Sequence, residues 1–282
     1  MNLQVLNHET VLSLLPQRHR DMHKGNAGKI LMLCGSLGYT GAAALCAMGA
    51  LRSGAGLVYL GVPESIYAIE AVKLTEPIVF PLPEQEGMFS EEAVSHLSNR
   101  LPKTDVVVIG PGIGKSKGTL ALVQWILDTF EGPVVVDADG INVLAAHKDI
   151  VRGRTAPTIL TPHEMEFQRL GGRLTGNRPE DAGLLAQELG AVVVLKGCRT
   201  VITDGFDYYV NPTGNPGMAT GGSGDVLSGV IAALLGQGLT PMKAAACGAW
   251  LHGAAGDICA GEIGQYGMLP SDMLSVLPRL MK

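Results

Sequence analysis

Charge is scarce in this chain: Asp, Glu, Lys and Arg make up 17% of its 282 residues. The 21 Lys and Arg are outnumbered by 26 Asp and Glu, giving a formal net charge of −5 at pH 7. The basic face that a nucleic-acid partner requires is therefore missing. No apolar run reaches the roughly 18 residues of a membrane span. Residues 17–24 are polar where a signal peptide would need its apolar core. Glycine is abundant, with 38 copies, yet it has no G-X-Y period, so collagen is excluded. The five cysteines, Cys34, Cys46, Cys198, Cys247 and Cys259, form no CxxC pair. Four of them fall in apolar or helical stretches, which points to reduced, buried thiols and not to disulfides or a metal site. These absences together leave a soluble, cytoplasmic protein that engages neither nucleic acid nor membrane.

What the chain does have is 46% hydrophobic residues, enough to bury a sizeable core. Apolar runs of strand length recur at 30–34, 57–60, 106–109, 134–136, 158–160 and 192–195. They are continuous and do not alternate with polar residues, as expected of strands covered on both faces of a parallel sheet. Between them, residues 41–53, 116–130, 180–189 and 226–235 show helical spacing. In the second of these the apolar positions are Leu120, Val123, Trp125 and Leu127. Alternating strand and helix implies right-handed crossovers around a central, mainly parallel sheet, hence an α/β fold. Residues 200–203 and 208–210 flank Asp204-Gly205 as a hairpin. Residues 241–282 read as helices, a long one over 242–260 and a short one near 271–277. No linker or repeat interrupts residues 1–282, so one domain is expected.

Residues 211–225 read NPTGNPGMATGGSGD and run straight into the apolar helix of residues 226–235. Free N–H groups and the positive end of the helix dipole make such an opening a natural phosphate site. Gly222, Ser223 and Gly224 would supply the anion hole. Asp225, in the first turn, can accept a proton from a substrate hydroxyl or orient it for attack on phosphorus; it can also simply cap the helix. No GK[ST] follows the glycines, so this is not a Walker loop. Gly110-Pro-Gly-Ile-Gly114 follows an apolar run, at the end of a strand where α/β ligands bind, or makes only a tight turn. His163 follows Pro162 at a strand end and can meet a substrate or begin a helix. Lys196 follows an apolar run directly, suited to a nucleotide phosphate or to snorkelling. Asp137 and Asp139 can hold magnesium, although Asp139 reads better as a helix cap. His252, on an apolar helix, reads as packed and hydrogen-bonded. His23-Lys24-Gly25 fits a site or an oligomer contact equally.

GGSGD entering an apolar helix resembles the anion-hole motif of the ribokinase-like superfamily. The longer NPTGNPGMATGGSGD string is similar to one family within it, the ADP- or ATP-dependent NAD(P)H-hydrate dehydratases. In the same order along the chain, Arg20-Asp-Met-His-Lys-Gly25, Gly35-Ser36, Thr40-Gly-Ala-Ala43, Ile109-Gly-Pro-Gly-Ile-Gly114, Asp137-Ala-Asp-Gly-Ile-Asn142, Leu160-Thr-Pro-His163 and Leu195-Lys-Gly197 resemble that family's motifs. The resemblance implies a ribokinase-like three-layer sandwich. It implies substrate contacts at Ala42, Gly112, His163 and Asp225. Nucleotide contacts are implied at Lys196, Gly197, Cys198, Arg199, Thr200 and Gly224. The implied reaction is dehydration of hydrated NADH or NADPH, driven by ADP (or ATP) with Mg2+, in a homotetramer. Some members carry a fused epimerase on the N-terminal side; few residues precede the first matched motif here, so that activity is expected elsewhere. Two rival readings share the phosphate loop: a kinase for a small alcohol such as hydroxyethylthiazole or hydroxymethylpyrimidine, and a non-catalytic nucleotide sensor.

Overall fold

The computed structural model describes residues 2–282. Its strands are β1 (Asn2–Val5), β2 (Lys29–Leu33), β3 (Leu57–Pro63), β4 (Ile78–Leu82), β5 (Glu84–Gln85), β6 (Met88–Phe89), β7 (Val106–Ile109), β8 (Val134–Val136), β9 (Thr158–Leu160), β10 (Val192–Leu195), β11 (Val201–Thr203) and β12 (Asp207–Val210). The helices are α1 (His8–Leu14), α2 (Thr40–Arg52), α3 (Glu64–Lys73), α4 (Ala93–Leu97), α5 (Lys117–Thr129), α6 (Ala138–Leu144), α7 (Asp149–Arg152), α8 (Glu164–Arg169), α9 (Arg178–Leu189), α10 (Ser223–Gly236), α11 (Pro241–Ile263) and α12 (Pro270–Leu280). All six apolar runs read from the sequence are strands, and the expected hairpin is β11–β12.

Ten strands form one sheet in the order β1-β12-β11-β10-β9-β8-β7-β2-β3-β4, while β5 and β6 pair separately. Within the large sheet β11 runs antiparallel to both of its neighbours, and the other pairings are parallel. Successive strand residues feed opposite cores. Ile30, Met32, Val106, Val108, Val192 and Val194 pack beneath α2, α10, α11 and α12. Leu31, Leu33, Val107, Ile109, Val193 and Leu195 pack beneath α5, α6 and α9. Because both faces are covered, no strand position can be polar without cost, and the continuous apolar runs follow. The result is three layers, helix on sheet on helix. No helix among the described residues is long and apolar enough to cross a membrane.

Chain direction across the sheet reverses between β2 and β7. From β2 the chain crosses by α2 to β3 on one side; from β7 it crosses by α5 to β8 on the other. A crevice opens at such a switch point, above the carboxyl ends of the strands. The edge strand β4 escaped the sequence reading because Pro81 interrupts it, and proline is tolerated only at a sheet margin or bulge. The other edge, β1, is four residues with polar Asn2 and Gln4, too short and mixed to stand out.

The two helices nearest the crevice touch through backbone. A methyl on Gly49 of α2 would lie 2.7 Å from the Val226 carbonyl oxygen of α10. A methyl on Gly229 of α10 would collide with the Cys46 carbonyl oxygen. Gly229→Ala should therefore force the helices apart and destabilise the fold by about 1–3 kcal/mol, read as a lowered midpoint in urea unfolding.

Candidate functional site

Five parallel strands deliver their next residues to one rim. After β2 come Gly35 and Ser36; after β7, Gly110 to Gly114; after β8, Asp137; after β9, Thr161, Pro162 and His163; after β10, Lys196. The opening of α10 faces the same rim, because Gly224 lies directly over the Lys196 ammonium. A methyl on Gly224 would sit 3.3 Å from Lys196 Nζ and 3.7 Å from Asp137 Oδ2. Gly222 occupies the cap position of α10 at φ 97°. That left-handed conformation admits glycine with little strain, and a methyl there would also press on Leu45 Cδ1 at 2.5 Å.

A charged cluster underlies this opening. Lys196 Nζ donates to Asp137 Oδ1 at 2.8 Å, and Ser228 Oγ donates to Asp137 Oδ2 at 2.8 Å. Glu166 Oε2 stands 4.0 Å from Lys196 Nζ. Asp137 is buried and Lys196 is partly covered. Burial alone would lower the Lys196 ammonium, but Asp137 and Glu166 beside it outweigh that and hold its pKa above the ordinary value. Asp225 stands in the first turn of α10, with Gly222 and not Asp225 in the capping position. Among the described residues, no side-chain hydrogen bond engages its carboxylate. Burial first, then repulsion from Asp137, pushes its pKa up to about 6, against the pull of Lys196. A carboxylate with free oxygens and a pKa near neutrality suits proton transfer.

Ala42 and Gly112, which the resemblance assigns to the substrate, form a second group. Ala42, near the start of α2, abuts Gly112: a methyl on Gly112 would lie 2.8 Å from Ala42 Cβ, and Gly112 has φ 63°. Ser36 Oγ donates to the Gly112 carbonyl at 2.7 Å, and Gly35 N donates to the Pro111 carbonyl at 2.8 Å, closing the switch-point loops on each other. On the next turn of α2, Leu45 reaches Gly222, so one helix touches both groups.

His163 caps α8. Its Nδ1 accepts from Met165 N at 3.1 Å and Glu166 N at 3.3 Å, while its own N–H donates to Glu166 Oε2 at 2.9 Å. Its Nε2 lies 3.3 Å from Glu166 Oε1, and about half of the side chain, 49%, remains exposed. The helix-start role is thus present, with a free ring face beside it. The segment after β10 is a turn between β10 and β11. Gly197, Cys198 and Arg199 are exposed there, Arg199 adopts φ 56°, and Thr200 Oγ1 donates to the Gly197 carbonyl at 2.9 Å. Arg178 holds this turn from behind, donating to the Leu195 and Lys196 carbonyls at 3.1 and 3.0 Å and pairing with Glu164.

Several readings of the sequence need correction. Asp139 is not the cap of α6, because the helix begins at Ala138, two residues earlier than such a cap implies, and the cap position is Asp137. Asp139 instead accepts from Gly114 N at 3.0 Å and from Asn142 Nδ2 at 3.3 Å, anchoring the glycine loop. Asp137 accepts from Lys196 at one oxygen and from Ser228 at the other. No group of three or more His, Cys, Asp or Glu that could cage a metal occurs among the described residues. His23-Lys24-Gly25 lies away from the cluster. The Lys24 carbonyl packs on Gly56, ahead of the amino end of β3, so the segment is at the opposite rim of the sheet. Cys198 is exposed and the other four cysteines are buried and free, as the sequence suggested. Ser228 is a member of the cluster that the sequence reading does not single out; its spacing of three from Asp225, which places both on one helix face, was the available signal.

A family model described as NAD(P)H-hydrate dehydratase matches residues 30–279. A bifunctional NAD(P)H-hydrate repair enzyme of Moorella thermoacetica is 46% identical over 288 residues, covering 100% of this chain and 54% of that protein. The chain spans about half the length of the curated relatives it matches. A ribokinase-like superfamily protein of Enterococcus faecalis superposes with a TM-score of 0.87 at 28% identity, over 99% of this chain and 95% of that one. The ADP/ATP-dependent NAD(P)H-hydrate dehydratase of Bacillus subtilis, co-crystallised with ATP and Mg2+, superposes with a TM-score of 0.84 at 32% identity, over 99% and 98%. The three layers are thus the ribokinase-like arrangement, and with nearly the whole sheet and the α10 opening inside the matched region, the chain belongs to the NAD(P)H-hydrate dehydratase family.

Proposed function

We propose that this chain is an ADP-dependent (S)-NAD(P)H-hydrate dehydratase, a hydro-lyase that repairs hydrated NADH and NADPH. The observation that carries the reading is the opening of α10, where Asp225, with no side-chain hydrogen bond among the described residues, follows Gly224 directly and Gly224 lies over the Lys196 ammonium. Hydroxide is a poor leaving group and phosphate a good one. In this reading Asp225 takes the proton of the substrate's added hydroxyl, whose oxygen attacks the terminal phosphorus of ADP, and AMP leaves. The amides of Gly222, Ser223 and Gly224 stabilise charge on the transferring group. The carbon–oxygen bond then breaks with loss of a neighbouring ring proton, phosphate departs, and the dihydronicotinamide is restored.

Ala42, Gly112 and His163 line the hydrated-nucleotide side. Lys196 to Thr200, with Gly224, take the ADP side. Magnesium usually keeps several waters and shares substrate phosphates with one or two carboxylates. An ion held mainly by nucleotide phosphates and water leaves Asp225 free as the base and needs no protein-built cage. The ion would supply charge neutralisation on the nucleotide phosphates. The proposal takes residues 1–282 as one catalytic domain, working in the cytoplasm as a homotetramer. ATP is the alternative donor.

The decisive assay is recovery of NADH absorbance from chemically hydrated NADH, with ADP and ATP supplied separately. Restored absorbance with release of free phosphate is expected. A phosphoester that persists would instead identify a small-alcohol kinase.

Asp225→Asn should lower kcat by roughly 10²- to 10⁴-fold while leaving nucleotide affinity nearly unchanged, as titration calorimetry would measure. Equal binding with no turnover by either form would mean a sensor. Asp225 acts as a base only when ionised, so kcat/KM should fall as pH drops through about 6. Asp137 raises that pKa and Lys196 lowers it. The acid limb of the pH profile should therefore move to lower pH in Asp137→Asn and to higher pH in Lys196→Met.

A further inference from the structure

The buried face of α11 is made of Ala, Gly, Cys, Trp and Leu, with one polar exception, His252. Its Nε2 lies 3.3 Å from Ser223 Oγ, and both residues are 8% exposed. Burial drives the pKa of His252 down to about 4, so the ring is neutral at working pH and adds no charge to the phosphate site. The same helix holds the first part of the glycine loop, residues 211–215. The Ala249 carbonyl accepts from Asn211 Nδ2 at 2.9 Å, and the Trp250 carbonyl accepts from Thr213 Oγ1 at 3.0 Å. Asp257 accepts from Gly214 N at 2.9 Å and Asn215 Nδ2 at 3.0 Å.

A serine hydroxyl has one proton and two lone pairs. Left alone near a helix, it tends to donate to neighbouring backbone carbonyls, which would turn its proton away from an anion. We propose that His252 is a positioning residue for phosphoryl transfer: its Nε2–H donates to Ser223 Oγ, which leaves the Ser223 hydroxyl proton to donate to an oxygen of the transferring phosphoryl group. No covalent step passes through His252. The inference deepens the phosphoryl-transfer reading above and rests on it.

The test is a double-mutant cycle with a conservative rescue. His252→Leu should lower kcat by roughly tenfold to a hundredfold, with KM for ADP nearly unchanged, because a donor to the transition state has been misaimed. His252→Gln, whose amide N–H can reach the same oxygen, should recover most of the loss. In a Ser223→Ala background, His252→Leu should cost little more. Losses that simply add, or a Gln variant as impaired as the Leu variant, overturn the inference. Melting temperatures report whether His252→Leu folds, and His252→Met provides a second apolar replacement.

A readout that needs no hydrated substrate is affinity for AMP with aluminium fluoride, which mimics the phosphoryl group in flight from ADP. His252→Leu should weaken that affinity while leaving AMP alone bound as in the wild type. Equal affinity in both forms overturns the role of His252. A wild-type chain that binds the fluoride complex but restores no NADH would overturn the substrate assignment and leave this one standing.

Discussion

The ion pair between Lys196 and Asp137 governs the arrangement of the site. Two full charges lie at the carboxyl ends of parallel strands β8 and β10, which flank β9, beneath the first turn of α10. Such a pair is costly to desolvate and strongly destabilising to break, at roughly 3–5 kcal/mol when one partner is removed. It persists because its other valences are met: Ser228 donates to the second oxygen of Asp137, and Glu166 approaches the ammonium. The pair also fixes the electrostatic setting of Asp225. One member repels its carboxylate and the other attracts it, so a base near neutrality results from their difference, on top of burial.

This pair can only act if α10 begins directly above it, and that depends on how closely α10 lies on α2. Glycine on both helices lets backbone meet backbone. The same α2 then presents Ala42 to Gly112 and Leu45 to Gly222. A single helix thereby sets the separation between the loops at the switch point and the glycine loop at α10. The tight inter-helix contact therefore fixes the geometry of the rim as well as the packing of the core.

Much of this was legible in the sequence, and the reasons are physical. Strands covered on both faces have to be apolar throughout, so the runs at 106–109 and 192–195 stand out unaided. A glycine-rich loop feeding an apolar helix is how chains commonly build a phosphate cradle, so the α10 opening stands out too. The interrupted edge β4 and the short polar β1 do not meet the strand pattern. The helical stripe of α5 is half right: Val123 and Leu127 are buried, but Leu122 and Ile126 fill the core where the spacing points to Leu120 and Trp125. The Lys196–Asp137 pair joins residues far apart in the chain, and nothing local in either segment signals the other. His163 illustrates a different limit, since one imidazole serves both as the cap of α8 and as an exposed ring at the rim, and sequence could offer these only as alternatives.

Pro81 in the outermost strand has a consequence for how copies of this molecule can meet. A proline brings no N–H to the sheet margin, and its ring crowds any strand that would lie alongside. Open β-margins otherwise act as templates for runaway stacking into fibrils. With β4 disarmed in this way, assembly by continuing the sheet is blocked on that flank, and association there has to proceed through helical surfaces.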